Sequence, residues 1–170
     1  MYAGSMAANN DIRAVLIRLL NELADGAGPD TGWVLNPRDP GLLRSLDRVT
    51  SQEASAVPAG HAASVGAHAD HLQYGLSLLN RWSRGEPDPF TSADYSASWR
   101  RNTVDDSEWT ERRDALRREI HAWRDALAQP RDLDETELTG VVASIAHLAY
   151  HLGAIRQLNR SARGPRETET

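Results

Sequence analysis

The chain contains no cysteine and no lysine; all 19 of its basic side chains are arginine. Without a thiol there is no disulfide, no cysteine nucleophile and no thiolate metal site. Without lysine there is no Schiff-base catalysis, no lysine-anchored pyridoxal cofactor and no Walker-type phosphate loop. A glycine-rich nucleotide loop, an internal repeat and a convincing strand pattern are missing too. Arginine in place of lysine, with abundant alanine, fits a high-GC genome, which is a mutational cause and not a functional one. Any chemistry therefore falls to histidine, carboxylate, hydroxyl or a bound metal.

Basic surface is equally scarce. The formal net charge is -5, which argues against nucleic acid as a partner, because a phosphate backbone demands a concentrated positive face. Arg112, Arg113, Arg117 and Arg118 do cluster, but Glu111, Asp114 and Glu119 interrupt them at helical spacing, the pattern of a solvated, salt-bridged helix face. No uninterrupted apolar run reaches the roughly 18 to 20 residues a bilayer requires, and no secretory pattern opens the chain. The expected setting is the cytoplasm, with no membrane partner.

At 170 residues the chain is expected to form one domain over 9–160, with a disordered segment at 1–8 and a frayed tail at 161–170. Apolar periodicity is helical almost throughout. A first helix runs from about Asp11 to Asp25, with Ile12, Val15, Leu16, Leu19, Leu20 and Leu23 on one stripe, stopped by Gly26-Ala27-Gly28-Pro29. Short helices follow at Gly41 to Val49 and after the capping box Thr50-Ser51-Gln52-Glu53. A second long helix spans about Ala62 to Arg84, ended by Gly85-Glu86-Pro87. A third spans about Asp105 to Gln129 with Trp109, Leu116, Ile120, Trp123 and Leu127, and a fourth about Glu135 to Asn159. The fold class is thus all-α: a four-helix bundle with additional short helices in the long connections. Trp33 and the segment Asp94 to Trp99 either cover the mouth of the bundle or plug the ends of its core.

What the chain does have is histidine in a telling arrangement. His147 and His151 stand four residues apart on the last helix, one turn above each other on one face, where two imidazoles can grip one ion. They flank the apolar stripe Val141, Ile145, Leu148 and Leu152, which suits a cleft between helices. A third imidazole would leave an open coordination position, as a catalytic metal needs. The second long helix offers His68 or His71, with His61 just before it. His121 stands alone on the third helix and reads as a structural histidine. By spacing alone the pair is a weak signal, and its alternative is imidazoles that cap backbone groups or line a subunit surface.

Ser64-Val65-Gly66-Ala67-His68-Ala69-Asp70-His71-Leu72, followed by Ile145-Ala146-His147-Leu148-Ala149-Tyr150-His151-Leu152-Gly153-Ala154-Ile155-Arg156-Gln157, resembles the DinB-like superfamily. The resemblance covers nearly the full chain in helix order, and its specific part is His-x-x-x-His-x-x-x-Ile. It implies a bundle of four long helices, often dimeric, that binds a divalent metal through one histidine on the second helix and two on the last. The family's first ligand falls in a His-Leu step about seven residues after a Ser-Val start, which carries over to His71, with His68 the competing position. The implied metal site is His71, His147 and His151 completed by water. Zinc is the expected ion, and nickel or iron suits the same imidazoles.

Relatives in that superfamily include thiol-dependent transferases and isomerases, so the resemblance implies a metal-dependent transferase. It would activate a low-molecular-weight thiol, of mycothiol or bacillithiol type, toward a small-molecule substrate. The alternatives are a metal-dependent hydrolase, or a non-catalytic bundle that binds metal or ligand; no HExxH-type glutamate accompanies the histidine pair. Arg156 as a carboxylate anchor, Tyr74 as a hydrogen-bond donor, and Asp70 or Glu53 as acceptors that orient an imidazole are supporting candidates.

Overall fold

A computed structural model describes residues 3–130 and 132–165, with side chains from residue 11 onward. Seven α-helices and one 3-10 turn make up its regular structure, and no strand occurs among the described residues. The helices are α1 (Ala3–Asp25), α2 (Gly41–Asp47), α3 (Ser51–Ser55), α4 (Val65–Ser83), α5 (Tyr95–Trp99), α6 (Asp106–Ala128) and α7 (Glu135–Leu158), with the 3-10 turn at Arg160–Ala162. The chain is all-α, as the periodicity implies. The expected N-terminal and C-terminal segments fall partly outside the described residues. Helix α1 begins at Ala3, ahead of the Asp11 start expected from its stripe.

The long helices α4, α6 and α7 begin where the sequence supplies a cap. Asp105 with Glu108 and Asp134 with Glu137 form capping boxes at the starts of α6 and α7, and Thr50 with Glu53 does so for α3. Such caps satisfy the orphan amides of the first turn and are worth about 1 kcal/mol each. Helix α4 is capped by Ser64, whose hydroxyl accepts from the Ala67 amide. Its far end stops at Arg84 and Gly85, the latter with φ of 90°.

Helix α1 packs against α6 and α7, and α4 packs against the same two, so the four long helices close a ring around one core. The stripe expected on α6 is buried in full: Trp109, Leu116, Ile120, Trp123 and Leu127. Both tryptophans carry their indole N–H to a partner. Trp109 donates to the Val49 carbonyl at 2.6 Å and Trp123 to the Ser144 hydroxyl at 3.0 Å, so large apolar rings enter the core without an orphaned donor. On α1 the stripe is only partly used: Leu16, Leu20 and Leu23 are buried, whereas Ile12 and Val15 stay about half exposed.

Helix α7 is long and apolar enough, by length and composition, to cross a membrane, with hydropathy 1.4 over its best 18-residue window. Counting uninterrupted apolar runs misses it because Ser144, His147 and His151 break the run. Val141, Ile145, Leu148, Leu152 and Ile155 are buried among the packed helices, as in a core helix.

Three of the four clustered arginines on α6 have partners within the fold. Arg112 donates to the carbonyls of Gly66 and Arg101, both at 3.0 Å, while Arg113 and Arg117 pair with Asp47. The Trp33 segment is anchored by its backbone. The buried Glu22 carboxylate accepts from the amides of Trp33, Val34 and Leu35, leaving the Trp33 ring 72% exposed.

Arg156 does not serve a ligand. Its guanidinium forms a two-pronged pair with buried Asp39, at 2.9 and 2.6 Å, and Asp39 also accepts from the Gly41 amide. Gly26, with φ of 109°, lets the chain leaving α1 lie against the Asp39 carbonyl oxygen, where a Cβ would collide. The pair thereby ties the end of α7 to the loop between α1 and α2. Asp39→Ala strands a buried guanidinium, and a loss of about 3 to 5 kcal/mol in urea unfolding is expected. Metal content should be unchanged, since neither residue touches the histidines.

Candidate metal centre

Helix α4 brings His68 and His71, and α7 brings His147 and His151, to one place between the two helices. One ring nitrogen from each of His71, His147 and His151 lies within 4.8 Å of the others, a group that can hold a metal ion. His71 and His151 are buried, at 8% and 1% exposure, and His147 is partly open. His151 lies deeper than the flank position read from its helix wheel, because other side chains cover it. His121 and His61 lie outside the cluster, half-buried on α6 and exposed ahead of α4 respectively.

The hydrogen bonds orient these rings. His71 Nδ1 lies 3.0 Å from the Ser98 hydroxyl, which donates its one proton to the Tyr95 carbonyl at 2.7 Å. With that proton donated to the carbonyl, the hydroxyl is placed to accept from His71. In that arrangement the His71 proton sits on Nδ1 and the lone pair on Nε2. His68 Nδ1 meets His151 Nδ1 at 2.8 Å, while His151 Nε2 meets His147 Nε2 at 2.6 Å. A proton on His151 Nδ1, donated to His68, frees Nε2 on the side of His147. His68 thus contacts the group through His151.

Ser98 and Trp99 are the residues that spacing alone did not single out. Trp99 stacks on His71 with ring centroids 4.3 Å apart and meets His68 edge-on at 5.1 Å. Both lie on α5, so the Asp94 to Trp99 segment covers the histidines, in line with the covering role considered for it. Straps hold it at both ends. The Asp94 amide donates to the Tyr74 hydroxyl at 3.1 Å. Beyond α5, Arg101 pairs with Asp70, with its Nε 2.9 Å from the carboxylate, and the Asn102 side chain accepts from the Ser64 amide at 2.8 Å.

These contacts reassign the supporting candidates. Tyr74 accepts from the cover and is a strap. Asp70, buried beside His71 in sequence, faces Arg101 and Arg112. Glu53 closes the α3 capping box and accepts from the Ser161 hydroxyl. The acceptors that orient imidazoles are instead Ser98 and His68.

Burial sets the charge state of the group. Desolvation, then the neighbouring histidines, pushes His151 down to about 2, and desolvation followed by His71 and His61 pushes His68 down to about 4. His71 and His147 are also lowered, chiefly by burial. The cluster is therefore neutral at pH 7, the form that ligates metal. Comparison with family models, curated proteins and solved structures gives no match, so the family resemblance rests on the residues themselves.

Two outcomes follow. Partners that orient metal-bound imidazoles are typically worth 10- to 100-fold in affinity, so Ser98→Ala and His68→Ala should each weaken zinc binding by about that much in competition titrations, with stoichiometry retained. The metal-free protein should also lose stability on acidification. Above about pH 6.5 these histidines are neutral in both states; below it the unfolded chain takes up protons that the folded cluster refuses, so stability falls with pH toward about 4. Urea midpoints at pH 7.5, 6 and 5 measure this, and saturating zinc should delay the fall.

Proposed function

We propose that this chain is a divalent-metal-binding protein of DinB-like type, its ring of four long helices a DinB-like four-helix bundle. Its activity is read as a metal-dependent transfer that activates a low-molecular-weight thiol, of mycothiol or bacillithiol type, toward a small molecule. The same reading makes it a cytoplasmic homodimer without nucleic-acid or membrane partners. The observation that carries it is the cluster of three neutral imidazoles whose outermost member, His147, is partly open.

The donor set fits a borderline cation. Nitrogen ligands suit zinc first, and nickel or iron next. A divalent ion held by His71, His147 and His151 supplies Lewis-acid chemistry, lowering the pKa of a thiol or polarising a carbonyl. The chain's own contribution is placement. Ser98 keeps the proton of His71 on Nδ1, His68 does the same for His151, and Trp99 shuts water out from the α5 side. Lacking cysteine, the protein draws its sulfur nucleophile from the cosubstrate.

The hydrolase reading is weaker because a carboxylate base is not free to serve. Asp70, the acid adjacent to His71 in sequence, is taken up by Arg101 and Arg112.

Elemental analysis of protein purified and then incubated with zinc should give about one ion per chain, falling to near zero in His147→Ala. Conjugation of a small electrophile should then require mycothiol or bacillithiol, with glutathione as the comparison. A wild type that refuses both zinc and nickel ends the metalloenzyme reading. Turnover with no thiol present ends the transferase reading in favour of hydrolysis.

A further inference from the structure

Beside the histidines lies a cleft of about 350 Å³ between α4 and α7, and His147 forms part of its wall. Leu72, Leu76 and Leu79 line it from α4, Leu148 and Ala143 from α7, and Phe90 and Tyr95 from the connection between α4 and α6. No charged side chain lines it. The hydroxyl of Ser144, one of its few polar groups, is engaged: it donates to the Val141 carbonyl at 2.7 Å and accepts from Trp123. The cleft therefore offers a mostly apolar slot with the partly exposed imidazole of His147 at one end and the Tyr95 phenol in its wall.

Ligand pockets are commonly built this way, mostly apolar with a few polar groups that fix orientation. Glycine keeps the slot open on one side. A Cβ at Gly75 would meet nothing within 4 Å, so the space beside α4 is not filled by a neighbour. A glycine inside a helix costs about 1 kcal/mol relative to alanine, and no close approach of backbone requires it there.

We propose that this slot is the substrate subsite. It takes an uncharged apolar group, such as a short alkyl chain or one aromatic ring, carried by a molecule whose small electron-pair-donor group reaches His71, His147 and His151. The proposal rests on the metal-site reading for the donor end alone and specifies the substrate class that the reading leaves open. A charged tail would have to leave water for a wall without a counter-charge.

Two probes separate the slot from the metal. N-phenyl-1-naphthylamine, neutral and metal-independent, should bind the wild type with enhanced fluorescence. For zinc-loaded protein, the series acetohydroxamate, butanohydroxamate and hexanohydroxamate should tighten about three- to fourfold per added methylene until the slot is full. A hydroxamate of similar length ending in a carboxylate should bind no better than acetohydroxamate. Gly75→Leu fills the slot from α4, and Ala143→Leu does so from the exposed side of α7, where folding is least at risk. In either variant the naphthylamine signal should drop at least tenfold and the chain-length dependence vanish, with zinc content and acetohydroxamate affinity kept.

Naphthylamine binding that both leucines abolish in a chain that takes no zinc supports the slot and ends the metal reading. Normal zinc content with no naphthylamine binding and equal affinity across the series overturns the slot. So does a carboxylate-ended probe that binds as tightly as its alkyl counterpart, or a signal that neither leucine changes.

Discussion

The contact between His68 Nδ1 and His151 Nδ1, 2.8 Å long across 83 residues of sequence, is the constraint on which the rest of the site depends. It joins α4 to α7 at the deepest polar point of their packing. An imidazole at 1% exposure has lost its water on both nitrogens, and each must be satisfied within the protein. His68 satisfies one and His147 faces the other, so the rotation of His151 is set from both sides. The ring cannot turn toward a ligand of its own choosing; it is held where a third imidazole, His71, also converges.

That convergence requires a cover, and the cover is short. Five residues of α5 cannot form a stable helix alone, since nucleation is unfavourable and tertiary contacts supply most of the stability of such an element. Here those contacts are the straps to Tyr74, Asp70 and Ser64, all borne by α4 or its cap. Helix α4 thus supplies His71, the His68 contact to His151 and the footing of the cover. A displacement at the start of α4 would move Ser98 and Trp99 along with His71, which keeps the hydrogen bond that orients His71 intact while the site as a whole shifts.

The sequence reveals these parts unevenly, for physical reasons. The α6 stripe and the centre of the α7 stripe are local patterns, and burial follows them residue by residue. The i,i+4 pair is local too. Ser98 and Trp99 leave no periodic trace, because a one-turn helix in a long connection has no period to read. Arg156 is unreadable for a different reason: its partner Asp39 lies 117 residues away, and nothing in the chain near Arg156 distinguishes an internal ion pair from a ligand anchor. Asp70 misled by proximity. It adjoins His71 in sequence, but successive residues on a helix point about 100° apart, so it faces Arg101 ahead of α6 and Arg112 on α6.

The charge distribution follows from the same geometry. Asp70 is buried, and its negative charge is stabilised by two guanidiniums on the side of α4 that faces α6. The opposite side, facing α7, then holds only neutral imidazoles and apolar walls. A carboxylate turned into that space would have brought net charge to the histidines, favouring their protonation over metal ligation. With the acid paired to arginine, burial is the largest influence on the imidazoles; neighbouring histidines add to it at His68, His71 and His151, Asp70 opposes it only at His71, and all four rings are driven toward the neutral form. The result is a group of lone pairs without net charge, a donor set that suits a nitrogen-seeking ion better than calcium or magnesium. On the proposed reading, the charge of such an ion would be the one uncompensated charge beside the apolar slot, and an anionic or electron-rich head on an apolar body would satisfy both.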